Sequence, residues 1–212
     1  MGIKHKGLVR FEKDLKALCK KHKIKIKTGT GATIDYGNNK DIQVSGYFDS
    51  INGEIAVAKG KDLLEWVEIL IHESCHLDQY VQDAKVWNAN EYYDSDASGI
   101  VDLWLAKIVE IKPKMLTKMI NGIIDLERDC DLRAIEKIKK YGLDDIIDLK
   151  RYAQKSNAYH LSYVALKKLR RWNKPKKAAY QVEDVLQSFS SVMSKGYTIT
   201  EKQFKLLKKH CY

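Results

Sequence analysis

Apolar positions recur along this chain in two rhythms. Between Gly7 and Lys21, Leu8, Phe11, Leu15 and Leu18 stand three and four residues apart, the spacing that lines one face of an amphipathic helix. Short runs at 24–28, 32–36, 42–49 and 54–58, separated by Gly and Asn turns, predict strands. From Asp62 onward the helical rhythm returns. With little Pro or Gly to interrupt it, it predicts helices near 62–82, 96–111, 114–141, 146–172, 182–195 and 200–209. The expected fold is α+β: a small, mostly antiparallel N-terminal sheet with one long helix beside it, then a mainly helical C-terminal part. A chain of 212 residues suits a single domain. Residues 1–60 would give its first helix and sheet, 61–141 its central helices and 142–212 its helical remainder. No internal repeat or low-complexity tail interrupts this.

The helix at 62–82 has an unusual second face. Leu63, Trp66, Val67, Leu70, Leu77 and Val81 share one side, with Ile71 at its margin. The opposite side carries His72, His76 and Gln79 where a surface helix would carry Lys and Glu. That suggests a helix packed on a core behind and open to a cleft in front. His72-Glu73-Ser74-Cys75-His76 is an H-E-x-x-H sequence. Two imidazoles four residues apart on a helix can grip one metal ion, and Glu73 can reach a water in the ion's open position. This is the minimum equipment for metal-assisted hydrolysis of an amide. A chance pentapeptide with two solvated or capped histidines would show the same letters.

A third ligand is available downstream. Ile120, Ile124, Glu127, Asp131, Ile135 and Ile138 fall on one helical stripe, so two carboxylates sit within an apolar face. Buried carboxylates are normally paired or metal-bound. Glu127 can be the third ligand, with His160 as the alternative. Asp131, one turn on, can accept the ring N–H of a ligating His. A buried salt bridge or a polar cluster would account for the same two acids. The helix at 146–172 aligns Tyr152, Ser156, Tyr159 and Tyr163, with His160 beside them. Such a stripe usually packs, but Tyr159 and His160 are the candidates for stabilising the oxyanion of an attacked carbonyl.

His72, Glu73 and His76, followed by Glu127-x-x-x-Asp131, resemble the zincin metallopeptidases of the glutamate-ligand type. The resemblance covers mainly residues 53–140. It implies a zinc ion (Zn2+) held by His72, His76 and Glu127, with Glu73 as general base and Asp131 supporting a ligand. It also implies that a strand near 54–58, just ahead of the metal helix, is an exposed edge that pairs with an extended substrate. About fifty residues separate His76 from Glu127, more than in compact members of the group. The stretches His72–Gln79, Leu126–Tyr141, Tyr152–Tyr163 and Arg171-Trp172 also resemble small zincin-like proteins of tailed bacteriophages, a likeness that supplies no substrate. The expected activity is zinc-dependent hydrolysis of a peptide or protein. The alternatives are a protease directed at a regulator or a protein on nucleic acid, and a zincin-like scaffold without activity.

Composition adjusts this picture little. No apolar run approaches the length of a membrane span. The basic start, Met1 to Lys6, lacks the apolar segment of a secretory signal, and Lys6 argues against myristoylation of Gly2. A cytoplasmic protein with reduced thiols is expected. Cys19, Cys75, Cys130 and Cys211 form no C-x-x-C pair. Cys75 and Cys130 each follow a proposed ligand by three residues and are expected to be small buried hydrophobes near the site. The net charge is +10 with pI near 9.2. Lys167, Lys168, Arg170, Arg171, Lys174, Lys176 and Lys177 cluster around Trp172 and Pro175, and Lys4 to Lys27 adds a second basic stretch. Either patch suits weak nucleic-acid binding, though a solvated lysine-rich surface is the expectation. Asp94-Ser-Asp96-Ala-Ser98-Gly99 imitates half of a calcium loop, but Leu105 stands where the bidentate Glu belongs. Helix capping explains the same residues.

Overall fold

The computed structural model describes residues 5–37, 39–92, 95–174 and 177–212, with residues 39–41 described by their backbone alone. Met1 to Lys4, Asp94, Pro175 and Lys176, which figure in the sequence reading, lie outside the described residues. The chain divides into two compact units. One comprises Met1–Ala84 and Arg133–Asp148, the other Lys85–Leu132 and Leu149–Tyr212.

The first unit begins with α1 (Lys6–Lys21), whose Leu8, Phe11, Leu15 and Cys19 are buried. Cys19 takes the fourth core position rather than Leu18. Strands β1 (Lys25–Gly29), β4 (Gly46–Asp49) and β5 (Glu54–Ala58) form a sheet in the order β1–β5–β4, while β2 (Ile34–Tyr36) and β3 (Asn39–Val44) form a separate antiparallel pair. The main sheet is mixed, not mostly antiparallel: β1 runs parallel to β5 and β4 antiparallel to it. Connection length explains this. A tight turn joins β4 to β5, with Asp49 Oδ1 accepting from Ile51 N and Asn52 N (both 2.9 Å) and Gly53 at φ +60°. Such a turn imposes antiparallel pairing, whereas the long excursion through β2 and β3 lets β1 and β5 run in the same direction.

The predicted run at 42–49 breaks at Ser45, where the chain leaves β2 as partner and takes up β5. Ser45 O accepts from Ala58 N at 2.9 Å. Strand β5 is not an exposed edge. It is the central strand, and Ile55–Ala58 are at most 1% exposed. A strand covered on both faces reads as an unbroken apolar run, which Ile55-Ala-Val-Ala58 is. The edges of this sheet are β1 and β4.

Helix α2 (Leu63–Val81) starts where Asp62 caps it, its carboxylate accepting from Glu65 N at 2.8 Å. Val67, Leu70, Ile71 and Leu77 are buried as the periodicity requires, but Leu63 is 56% exposed. The far face is not open as expected: Glu73, Ser74, His76 and Gln79 are buried too. Lys137, in the last turns of the long helix α5 (Pro113–Lys140), covers part of it. Its ammonium donates to Ser74 O (2.9 Å) and Oγ (2.8 Å) and pairs with Asp78 at 2.8 Å.

The second unit is helical. It contains α3 (Lys85–Asn88), a two-residue ribbon β6 (Glu91–Tyr92) with β7 (Ser95–Asp96), α4 (Ala97–Leu105), the first five turns of α5, α6 (Leu149–Leu169), α7 (Glu183–Leu186) and α8 (Glu201–His210). Val101, Trp104, Ile120, Ile123, Leu166 and Leu207 belong to its core. Asp96 caps α4, accepting from Gly99 N at 2.7 Å, and Asp102 accepts from Trp172 Nε1 at 3.0 Å, so these two acids of the calcium-like stretch have structural work. Helix α4 stops six residues early, where Lys107 turns left-handed at φ +62°, and Arg170 at φ +47° ends α6 in the same way. The helix predicted at 182–195 shrinks to one turn. Asn157 Nδ2 captures Ser190 O (2.8 Å) and Val192 O (2.9 Å), drawing those carbonyls away from helical bonding. Among the described residues, no helix is long and apolar enough to cross a membrane.

Candidate metal centre

Helical spacing brings the two histidines of α2 together. The rings of His72 and His76 stand edge to face, centroids 4.8 Å apart. His76 is 9% exposed, and its Nδ1 lies 2.8 Å from Gln79 Oε1. With the amide oxygen accepting, Nδ1 carries the proton and Nε2 presents its lone pair, the tautomer a metal-binding imidazole needs. Gln79 thus orients the His76 ring as a partner of a ligating imidazole would. The sequence offered one signal, its place beside the histidines on the same face of α2.

Glu73 is buried beside the edge strand. A Cβ added to Gly46 of β4 would stand 3.3 Å from Glu73 Cγ and 2.5 Å from Ile69 Cγ2, so the glycine is what lets β4 lie this close to α2.

The donor atoms of His72, His76 and Cys130 all lie within 4.8 Å of one another, and this group could hold a metal ion. Around a tetrahedral ion with bonds of about 2.0–2.3 Å, donors stand ~3.3–3.8 Å apart. Two imidazoles and a thiol are ligands zinc accepts. Glu127 and His160, the two candidates for third ligand, are not members of this group. Cys130 is fully buried, as expected of a small hydrophobe, and its thiol is the third atom of the group that could hold an ion.

Glu127 lies near tyrosines. Burial first, and then the negative charge of Glu127, push the Tyr159 hydroxyl well above its ordinary pKa, and the same two causes raise that of Tyr163. Both phenols therefore stay protonated throughout the neutral range. Their hydroxyls stand 3.3 Å apart. Asp131, 3% exposed, accepts from Tyr152 Oη at 2.6 Å through one oxygen and meets His160 Nε2 at 2.7 Å through the other. Tyr152 and His160 are themselves buried, so the helical stripe on α6 packs against α5 through a polar cluster.

The basic cluster is partly committed to the fold. Lys167 donates to Thr117 Oγ1 (2.6 Å), Lys168 lies over Phe204, and Arg170 donates to Trp104 O (3.1 Å) and pairs with Glu110 (2.7 Å). Arg171, Lys174 and Lys177 are exposed. Comparison of the chain with protein-family models, with curated proteins and with solved structures finds no match.

Proposed function

We propose that this protein is a zinc-dependent metallopeptidase. The observation that carries the proposal is the H-E-x-x-H turn of α2: two imidazoles side by side, one with Gln79 Oε1 at 2.8 Å from its Nδ1, and a buried carboxylate between them in sequence. His72 and His76 would hold the ion, and Cys130 is the third donor that the geometry favours. Glu127 is the alternative third ligand. When bound, zinc supplies Lewis acidity toward the scissile carbonyl.

The remaining steps belong to side chains of this chain. Glu73 takes a proton from the attacking water and delivers it to the leaving amine nitrogen. Tyr159, kept protonated, and His160 are the proposed donors to the oxyanion. Asp131 fixes the orientation of His160 through the 2.7 Å contact. Edge strand β4, lying against Glu73, is the place where an extended peptide would add as a further strand.

Glu73→Gln preserves size but cannot accept the proton. It should keep the metal and the melting temperature of the parent and lose cleavage of a peptide library. Equal cleavage by parent and variant would remove Glu73 from the mechanism. A metal-loaded parent that cleaves nothing would favour a zincin-like scaffold without activity. Protein targets bound to nucleic acid stay a weaker reading, because Lys167, Lys168 and Arg170 are already engaged within the fold.

A further inference from the structure

A hollow of about 490 Å³ opens on the second unit, away from the histidines in the chain. The first turns of α5 line it with Lys114, Thr117, Lys118, Asn121 and Asp125, and Tyr92 of β6, half-buried against the core, lines it too. The volume lies within the range of small-molecule sites.

Its wall is fixed. Asn90, 4% exposed, donates through Nδ2 to Val86 O at 2.8 Å and to Gly122 O at 2.9 Å, tying the end of α3 to α5. A Cβ on Gly122 would stand 3.0 Å from Asn90 Oδ1, so glycine permits this close approach. Ala89 and Gly122, on either side of the tie, both line the hollow.

Its charge is unbalanced. Among the described residues the lining holds one carboxylate, Asp125, and it is already occupied: Arg128 Nη1 donates to it at 2.8 Å, and Tyr197 Oη lies 2.8 Å from both of its oxygens. Among the described residues, neither Lys114 nor Lys118 has a hydrogen-bond or ion-pair partner. Lys167 reaches the rim through Thr117 Oγ1 at 2.6 Å, and its acceptor there is neutral. Two lysines thus line a pre-shaped hollow, a third stands one hydrogen bond behind its rim, and among the described residues the lining supplies no free anion. The Thr117 hydroxyl is engaged, donating to Pro113 O at 2.8 Å, while the amide of Asn121 adds a neutral hydrogen-bonding group and Tyr92 an aromatic ring.

We infer that this hollow binds a phosphate monoester carried on a planar ring, a ligand of mononucleotide size. Lys114, Lys118 and Lys167 meet the phosphate, and Tyr92 meets the ring. Lysine suits this role because its ammonium is a mobile point charge with three donors. The inference is independent of the proposed peptidase activity.

Calorimetric titration of the full chain with AMP, and separately with inorganic phosphate, tests it. Both should bind at low salt and weaken as salt rises. Lys114→Ala/Lys118→Ala should weaken both probes by roughly tenfold or more, since each lysine supplies a charge-assisted contact. Tyr92→Ala should weaken AMP and leave inorganic phosphate unchanged. The control is Arg171→Ala/Lys174→Ala, which removes two exposed charges that do not line the hollow and should leave both affinities unchanged. All substitutions except Tyr92 are at exposed side chains, so folding is preserved. Absence of binding by the parent would overturn the inference. So would an equal loss in the control variant, which would mean diffuse surface charge. A single-stranded oligonucleotide that binds tightly, is released by the control substitutions and ignores Lys114→Ala/Lys118→Ala would also overturn it, by moving the phosphate contacts to the basic cluster.

Discussion

Asp131 shows what one side chain can decide here. Its two oxygens satisfy a phenol and an imidazole that are both out of reach of water. Asp131→Ala strands both donors, and the expected loss is about 2–4 kcal/mol of stability, read from urea unfolding midpoints. Zinc content should change little, since Gln79 already holds His76. A large loss of zinc with little loss of stability would return Asp131 to the role of partner to a ligating His. Much of this chemistry was legible in the sequence. The i, i+4 histidines and the acids on an apolar stripe follow from helical geometry alone. Two things were not legible. Gln79 could cap, pack or hydrogen-bond, and nothing local chooses among these. Cys130 is a buried thiol, and most buried thiols only fill space; its closeness to two histidines is a tertiary fact.

At the level of elements, Gly46 governs how β4 meets α2. Gly46→Ala forces a methyl group against Ile69 and Glu73, an overpacking expected to cost about 1–3 kcal/mol. Adding Ile69→Ala removes the 2.5 Å collision and should recover part of that stability, while the contacts with Ala56 O (3.0 Å) and Glu73 Cγ (3.3 Å) persist. Peptide cleavage should therefore stay reduced in the double variant despite its partly recovered melting temperature. Full recovery of both would make Gly46 a packing residue only. Helix starts were legible because their signals are local: Asp62, Asp96 and Thr200 each cap the helix that follows. Helix ends were overestimated where Lys107 and Arg170 take left-handed conformations that no glycine advertised. Strand order was not legible, since period-two patterns mark a strand without naming its neighbour.

For the whole molecule, buried phenols and thiols set its response to alkali. Burial first, then hydrogen bonding to Glu54 and Asp14 respectively, pushes Tyr47 and Tyr141 up to about 12. Burial alike raises Cys19 and Cys211 to about 11. In the unfolded chain these phenols and thiols ionise near their ordinary values of about 10 and 8.5. Above those values the unfolded state binds fewer protons than the folded one, so stability falls as pH rises. Unfolding midpoints should hold below about pH 8.5, where both kinds of group are protonated in either state, and then decline through pH 12. Tyr47→Phe should flatten the upper part of that decline; an unchanged slope would remove Tyr47 as a contributor. The division into two units was not visible in the hydrophobic pattern, because the unbroken helix α5 supplies residues to both. The most direct test of the central claim is the metal content of the purified protein measured beside His76→Ala and Cys130→Ser. The parent should carry about one zinc per chain, with most of it lost in each variant while the fold persists. A folded parent that takes up no zinc, or a His76→Ala variant that keeps the full amount, would contradict that claim.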